Sequence, residues 1–181
     1  DLFGYHFMQI GLLHGDRLLN STRISHSFII QMDEEGALKQ GTALQGVADR
    51  LPIASDCLDV VVLPHVLEFS SNPHKILREI ELHKNDIKVI VLHHGGEPLL
   101  NKSFFKYIDE IKRINSSFFI KTVSNGMALT KKVSEKLLST DLDLIEFSLD
   151  GQSSSENEHI RIKSKTDIII NNIKYLIDLK K

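Results

Sequence analysis

Between Leu58 and Leu63 the chain reads LDVVVL, a run of β-branched residues with no polar residue interleaved after Asp59. A strand with one wet face would alternate apolar and polar side chains. An unbroken apolar run belongs to a strand covered on both faces, as in a parallel sheet flanked by helices. Parallel strands cannot be joined by a hairpin, so each needs a crossover, and a helix is the usual one. Asn72-Pro73 supplies a helix start directly downstream, with Asn72 as N-cap and Pro73 at the first helical position. Ile76, Leu77 and Ile80 then recur at helical spacing, while Arg78, Glu79 and Glu81 fall on the opposite side.

The same alternation continues to the end of the chain. Ile87–Leu92 (IKVIVL) reads as a strand, and Asn101 as the cap of a helix from Lys102 to Ile114 with Phe104, Phe105, Ile108 and Ile111 on one side. Phe118–Val123 is the next strand, Thr130 caps a helix through Leu138, and Leu144–Leu149 (LIEFSL) is a further strand. Gly151–Glu158 (GQSSSENE) reads as a polar loop, and Lys165–Leu179 as a last helix carrying Ile169, Ile173, Leu176 and Ile177. Upstream the pattern is thinner: Phe7–Gly11, Ser27–Met32 and Ala43–Ala48 are short strands. Strand–helix alternation with short loops predicts right-handed βαβ units. The expected fold class is therefore α/β, a parallel sheet with flanking helices.

Composition narrows the function classes. The 181 residues are 41% hydrophobic, enough for a substantial core, and carry a net charge of −2 with both signs interspersed. With no basic stripe, nucleic acid is not an expected partner. No apolar run approaches the roughly 20 residues of a membrane helix, and no charged-then-apolar leader opens the chain, so no membrane partner and a cytoplasmic setting are the expectation. Cys57 is the only cysteine. It excludes an intrachain disulfide and any cysteine-rich metal site built by this chain alone, and no metal ligands are expected. With no cationic neighbour to lower its pKa, Cys57 reads as a small buried residue rather than a nucleophile. The nine histidines are scattered, and His93-His94 reads as two residues on opposite faces of a strand end.

In parallel α/β sheets, ligands bind at the carboxyl ends of the strands. Three successive strand ends here carry glycine with polar or acidic residues: Gly95-Gly96-Glu97-Pro98, Ser124-Asn125-Gly126 and Ser148-Leu149-Asp150-Gly151. Each alone is an ordinary turn sequence. Three in series are a candidate mouth for a small-molecule ligand.

These motifs resemble the radical SAM superfamily. GGEPLLNKSFFKYIDEIK, KTVSNGMALT and IEFSLDG match it in order and spacing across residues 87–181. The resemblance implies partial (β/α)-barrel units and a site for S-adenosylmethionine. In it Gly95, Gly96 and Glu97, followed by Pro98, would hold the methionine amino group. Ser124 and Asn125 would lie near the ribose and methionyl part, Ser148 and Asp150 would line the mouth, and Arg161 would pair with the ligand carboxylate. It also implies a [4Fe–4S] cluster on a C-x-x-x-C-x-x-C segment about 40 residues before Gly95. That segment is ADRLPIASDCLDVVVLPHVLEF here, so the cluster expected of the lineage is not supported by this chain.

The first half is similar to class I S-adenosylmethionine-dependent methyltransferases of the type 11 group. FGYHFMQIG and LPIASDCLDVVVLPHVLEFSSNPHKILREIE carry the similarity, over residues 2–82. It implies a Rossmann-like half-sheet with Gly11 ending the first strand, Asp33 at ribose hydroxyls, Asp49 at the adenine amine and His65 at the substrate mouth. Both halves thus lead to the same cofactor, S-adenosylmethionine. The expected organisation is a partial methyltransferase-like segment, 1–82, joined to a partial radical SAM-like segment, 83–181, in one continuous sheet. Two half-domains packed edge to edge is the alternative. The expected function is S-adenosylmethionine-related, with little or no catalysis by this chain alone and no catalytic residue assigned. An active methyltransferase and a non-catalytic recombined or engineered domain are the other readings.

Overall fold

The computed structural model describes residues 6–10, 26–31, 42–45, 59–63, 67, 73–92 and 96–181, the first three stretches by backbone pairing. Seven strands form one sheet: β1 (His6–Ile10), β2 (His26–Gln31), β3 (Thr42–Gln45), β4 (Val60–Leu63), β5 (Val89–Leu92), β6 (Phe119–Ser124) and β7 (Leu144–Phe147). Their order is β3-β2-β1-β4-β5-β6-β7, and every pairing is parallel. The α/β expectation holds, and so does its Rossmann-like beginning. Strand order reverses once, where β4 returns to lie beside β1 after the walk out to β3, as in a doubly wound sheet. Beyond β4 each strand is laid against the one before it, the progression of (β/α) units.

LDVVVL and IKVIVL lie side by side in this sheet: Val60 pairs with Val89, and Leu63 with Leu92. The two runs therefore share one ladder. All four residues of β4 are buried, which for successive side chains pointing up and down means that both faces are covered.

One face carries the described core. Val61, Ile90 and Ile120 are aligned across three strands and are at most 1% exposed. Over them pack α1 (Pro73–Leu82) through Ile76, Leu77 and Ile80, and α2 (Phe104–Ile114) through Phe104, Ile108 and Ile111. Leu137 of α3 (Lys131–Leu138) and Leu176 of α5 (Thr166–Lys180) extend the same cluster. Each such aliphatic or aromatic side chain contributes roughly 1.5–3 kcal/mol by leaving water. The Tyr107 hydroxyl, buried in α2, donates to the Leu67 carbonyl at 2.9 Å. The opposite face opens progressively from β5 to β7, where Phe119 is 42% and Leu144 37% exposed.

Three local expectations are corrected. Asn101 does not open the second helix. Pro98–Leu100 forms a 3₁₀ turn, Asn101 closes it and accepts from the Ser103 amide at 2.8 Å, and α2 starts at Phe104. The proline prefers the first turn of a helix, so it pulled the helical start forward into a separate turn. Gly151–Glu158 is not a loop throughout, because Ser154–Ile160 forms α4. Its start is fixed by the Ser153 hydroxyl, which accepts from the Glu156 amide, while the Glu156 carboxylate accepts from the Gln152 amide. Ile177, expected on the apolar stripe of α5, is 51% exposed; Ile169 and Leu176 carry the burial. No helix among the described residues is long and apolar enough to cross a membrane.

Candidate functional site

Because the strands are parallel, the ends of β5, β6 and β7 lie along one edge, and the segments after them are neighbours. The chain leaving β5 turns at Gly96, whose φ of +67° suits a residue without Cβ. It then presents Glu97 as the cap of the 3₁₀ turn. One carboxylate oxygen, Oε1, accepts from the Leu99 amide at 3.1 Å and from the Ser124 hydroxyl at 2.7 Å. The other, Oε2, accepts from the Asn125 amide at 2.7 Å. Glu97 thus fastens the end of β5 to the end of β6.

The β6 end is itself ordered. The Gly126 amide donates to Ser124 Oγ at 3.0 Å, and the Met127 amide to Asn125 Oδ1 at 2.8 Å. Gly126 has φ +75°, and a Cβ there would lie 2.7 Å from Ile169 Cγ2 of α5. The turn therefore demands glycine twice, for its backbone angle and for its closeness to the helix. Ser124, 1% exposed, joins the third strand end as well, because the Ser148 amide donates to its carbonyl at 2.9 Å. Glu97, Ser124, Asn125 and Ser148 form one connected set.

Asp150 and Arg161 stand beside this set as a pair. Arg161 Nε donates to Asp150 Oδ2. Asn157 of α4, 1% exposed, orients the Asp150 segment: its Oδ1 accepts from the Asp150 amide at 2.9 Å, and its Nδ2 donates to Ser164 Oγ at 3.1 Å and Thr166 Oγ1 at 2.9 Å.

Gly95, Gly11, Asp33 and Asp49 lie outside the described residues, as do Cys57, His65, His93 and His94. Pro98 is buried in the 3₁₀ turn and serves the turn's shape. Sequence reasoning passed over Asn157, although the Ser153-x-x-Glu156 spacing is a helix-start signal that would have placed it on a helix. It also passed over Asn172 of α5, whose Nδ2 donates to the Gly126 carbonyl at 3.1 Å. Nothing in the local sequence marks a mid-helix asparagine as a partner of a turn 46 residues away.

Residues 64–181 match the radical SAM superfamily, and the chain belongs to that superfamily. Residues 18–83 match a methyltransferase domain, and the two matches overlap on the stretch that contains α1. The chain is 30% identical over 82 residues to an uncharacterized protein of Escherichia coli (strain K12), YafS, covering 44% of this chain and 31% of that protein. It is 29% identical over 76 residues to the mycofactocin maturase MftC of Mycolicibacterium smegmatis (strain ATCC 700084 / mc(2)155), covering 42% of this chain and 19% of that protein. It therefore spans only about a third and a fifth of these relatives. No solved structure matches.

Superfamily membership implies an iron–sulfur cluster, and the donor set can be tested against it. A [4Fe–4S] cluster held by three thiolates needs three cysteines, and this chain has one. Among the described residues no group of three His, Cys, Asp or Glu side chains is placed to hold a metal ion. The residues present do not fit the cluster.

Proposed function

We propose that this chain is an S-adenosylmethionine-binding α/β protein of the radical SAM superfamily that performs little or no radical chemistry by itself. The observation that carries the reading is the Glu97 bracket, a strand-end carboxylate held by three donors at the edge where parallel sheets bind ligands. A carboxylate has roughly four acceptor positions. Donors from the described residues take two on Oε1 and one on Oε2, so among these residues Oε2 has one position for a ligand N–H. A methionine ammonium suits that position as a charge-assisted donor. Asn125 Nδ2, Ser148 and the Arg161 guanidinium are the further polar groups for the ribose and the ligand carboxylate. In this reading the chain's residues bind and orient; the single cysteine leaves reductive cleavage without its metal centre.

Calorimetric titration with S-adenosylmethionine tests this. Saturable binding that Glu97→Ala abolishes and Asp49→Ala leaves intact supports the mouth at β5–β7. No heat at millimolar ligand rejects the reading and leaves a non-catalytic domain.

A second reading, an active methyltransferase, is favoured by the match over residues 18–83 and by the β3-β2-β1-β4-β5 order. The cofactor would then lie where the strand order reverses, between the ends of β1 and β4, with Gly11, Asp33 and Asp49 around it. Loss of binding in Asp49→Ala, with Glu97→Ala unaffected, would select it.

A further inference from the structure

We propose that Asn172 is a positioning residue for the β6 turn, so that affinity at the candidate mouth depends on how α5 is docked. The proposal rests on the β5–β7 reading given above, and it adds a residue that none of the strand-end motifs contains.

The turn Ser124–Met127 is held from two elements. Glu97 takes the Ser124 hydroxyl and the Asn125 amide. Helix α5 takes the rest. Asn172 Nδ2 donates to the Gly126 carbonyl, Ile169 packs against Gly126 where a Cβ would not fit, and the Lys165 amide, at the start of the same helix, donates to the Met127 sulfur at 3.4 Å. Ile169 is buried and anchors α5, whereas Asn172 is only half-buried and adds little to the core. Its amide has a directional task instead. The Gly126 carbonyl accepts from the Leu129 amide at 3.3 Å within its own segment and from Asn172 at 3.1 Å, so the side chain is the donor that ties it to another element. Fixing that carbonyl fixes the peptide planes on either side of Gly126, including the segment that carries the Asn125 side chain. An asparagine that merely stabilised the helix would act on unfolding and leave the turn's order unchanged.

The test compares Asn172→Leu, which removes the donor while keeping the branched shape and the number of heavy atoms, Asn172→His, which restores a ring N–H donor, and Asn171→Leu, an exposed neighbour on the same helix. Each is measured in the full chain for amide exchange at Gly126 and Met127, for S-adenosylmethionine affinity, and for the thermal midpoint. Asn172→Leu is expected to speed exchange at both amides and to weaken affinity by about threefold to tenfold, the worth of one hydrogen bond. Asn172→His should recover part of both losses, and Asn171→Leu should match the parent chain. A lowered midpoint with unchanged exchange and affinity would reduce Asn172 to a structural residue and overturn the proposal, as would faster exchange with unchanged affinity. If the parent chain itself gives no heat with S-adenosylmethionine, the functional reading falls, while the exchange data still decide whether Asn172 orders the turn.

Discussion

The Ser124 hydroxyl donates to the Glu97 carboxylate at 2.7 Å across 27 residues of sequence, tying the segment after β5 to the end of β6. The same serine accepts from Gly126 and, through its carbonyl, from Ser148. A ligand at this edge would meet a pre-arranged surface, which lowers the ordering cost of binding.

Replacing Glu97 should therefore loosen the fold as well as the site. Glu97→Ala strands three part-buried donors and is expected to cost about 2–4 kcal/mol, from roughly 1 kcal/mol or more for each lost partner. Glu97→Gln keeps the shape and an acceptor, and should cost about half as much. Urea denaturation reads both, and an alanine variant within about 0.5 kcal/mol of the parent would contradict the bracket.

Gly126→Ala meets two obstacles, a φ of +75° and a contact of 2.7 Å with Ile169 Cγ2. The left-handed angle costs about 1–2 kcal/mol, and the overpacking costs about 1–3 kcal/mol more. Only the second part can be relieved from outside. The double variant Gly126→Ala/Ile169→Ala should be less destabilised than the sum of the singles, with a coupling of about 0.5–3 kcal/mol in a double-mutant cycle. Strict additivity would mean that the contact is not felt.

Asn157 and Arg161 both touch Asp150, yet they should differ sharply when removed. Asn157 is 1% exposed and makes three hydrogen bonds, so Asn157→Ala should cost about 2–3 kcal/mol. Arg161 and Asp150 are more than a third exposed, and their ion pair is worth about 0–1 kcal/mol. Arg161→Ala should scarcely move the denaturation midpoint, while reducing affinity for a carboxylate-bearing ligand if that guanidinium reaches it.

Anaerobic reconstitution with iron and sulfide should leave the chain without stoichiometric iron, because one thiolate cannot hold a cluster that takes three. Iron analysis and visible absorption after desalting check this, and Cys57→Ser should give the same result. A stable cluster at one per chain would mean that ligands come from elsewhere, and would reopen radical chemistry.

Much of the architecture is readable from residue pattern because parallel strands announce themselves. VVVL has no alternation and is buried on both faces, whereas the equally apolar VIVL is buried on one face and half-buried on the other, and α1 and α2 present the apolar faces that Ile76, Leu77, Phe104 and Ile108 mark out. The glycines and acids at three strand ends were likewise visible as a series. What sequence hides is distance. Thr130 announces α3, because its hydroxyl caps the Val133 amide three residues on. Asn157 and Asn172 act on backbone groups brought near only by the completed fold, and no local propensity encodes that. α4 escaped because Ser and Asn favour loops and caps alike, and a helix of 7 residues has too few apolar positions to show a period.

The ladder between β4 and β5 has a further consequence for anyone who would dissect this chain. Main-chain N–H and C=O groups are the same whatever side chains they carry, so a parallel edge accepts a new βα unit with little regard for its origin. The reverse operation is not free. A cut in the turn after α1, where the methyltransferase match ends, would turn Val60–Leu63 and Val89–Leu92 from inner strands into raw edges of apolar strands. Such edges recruit other strands. Either fragment made alone should self-associate, and mixing the two should reduce that association.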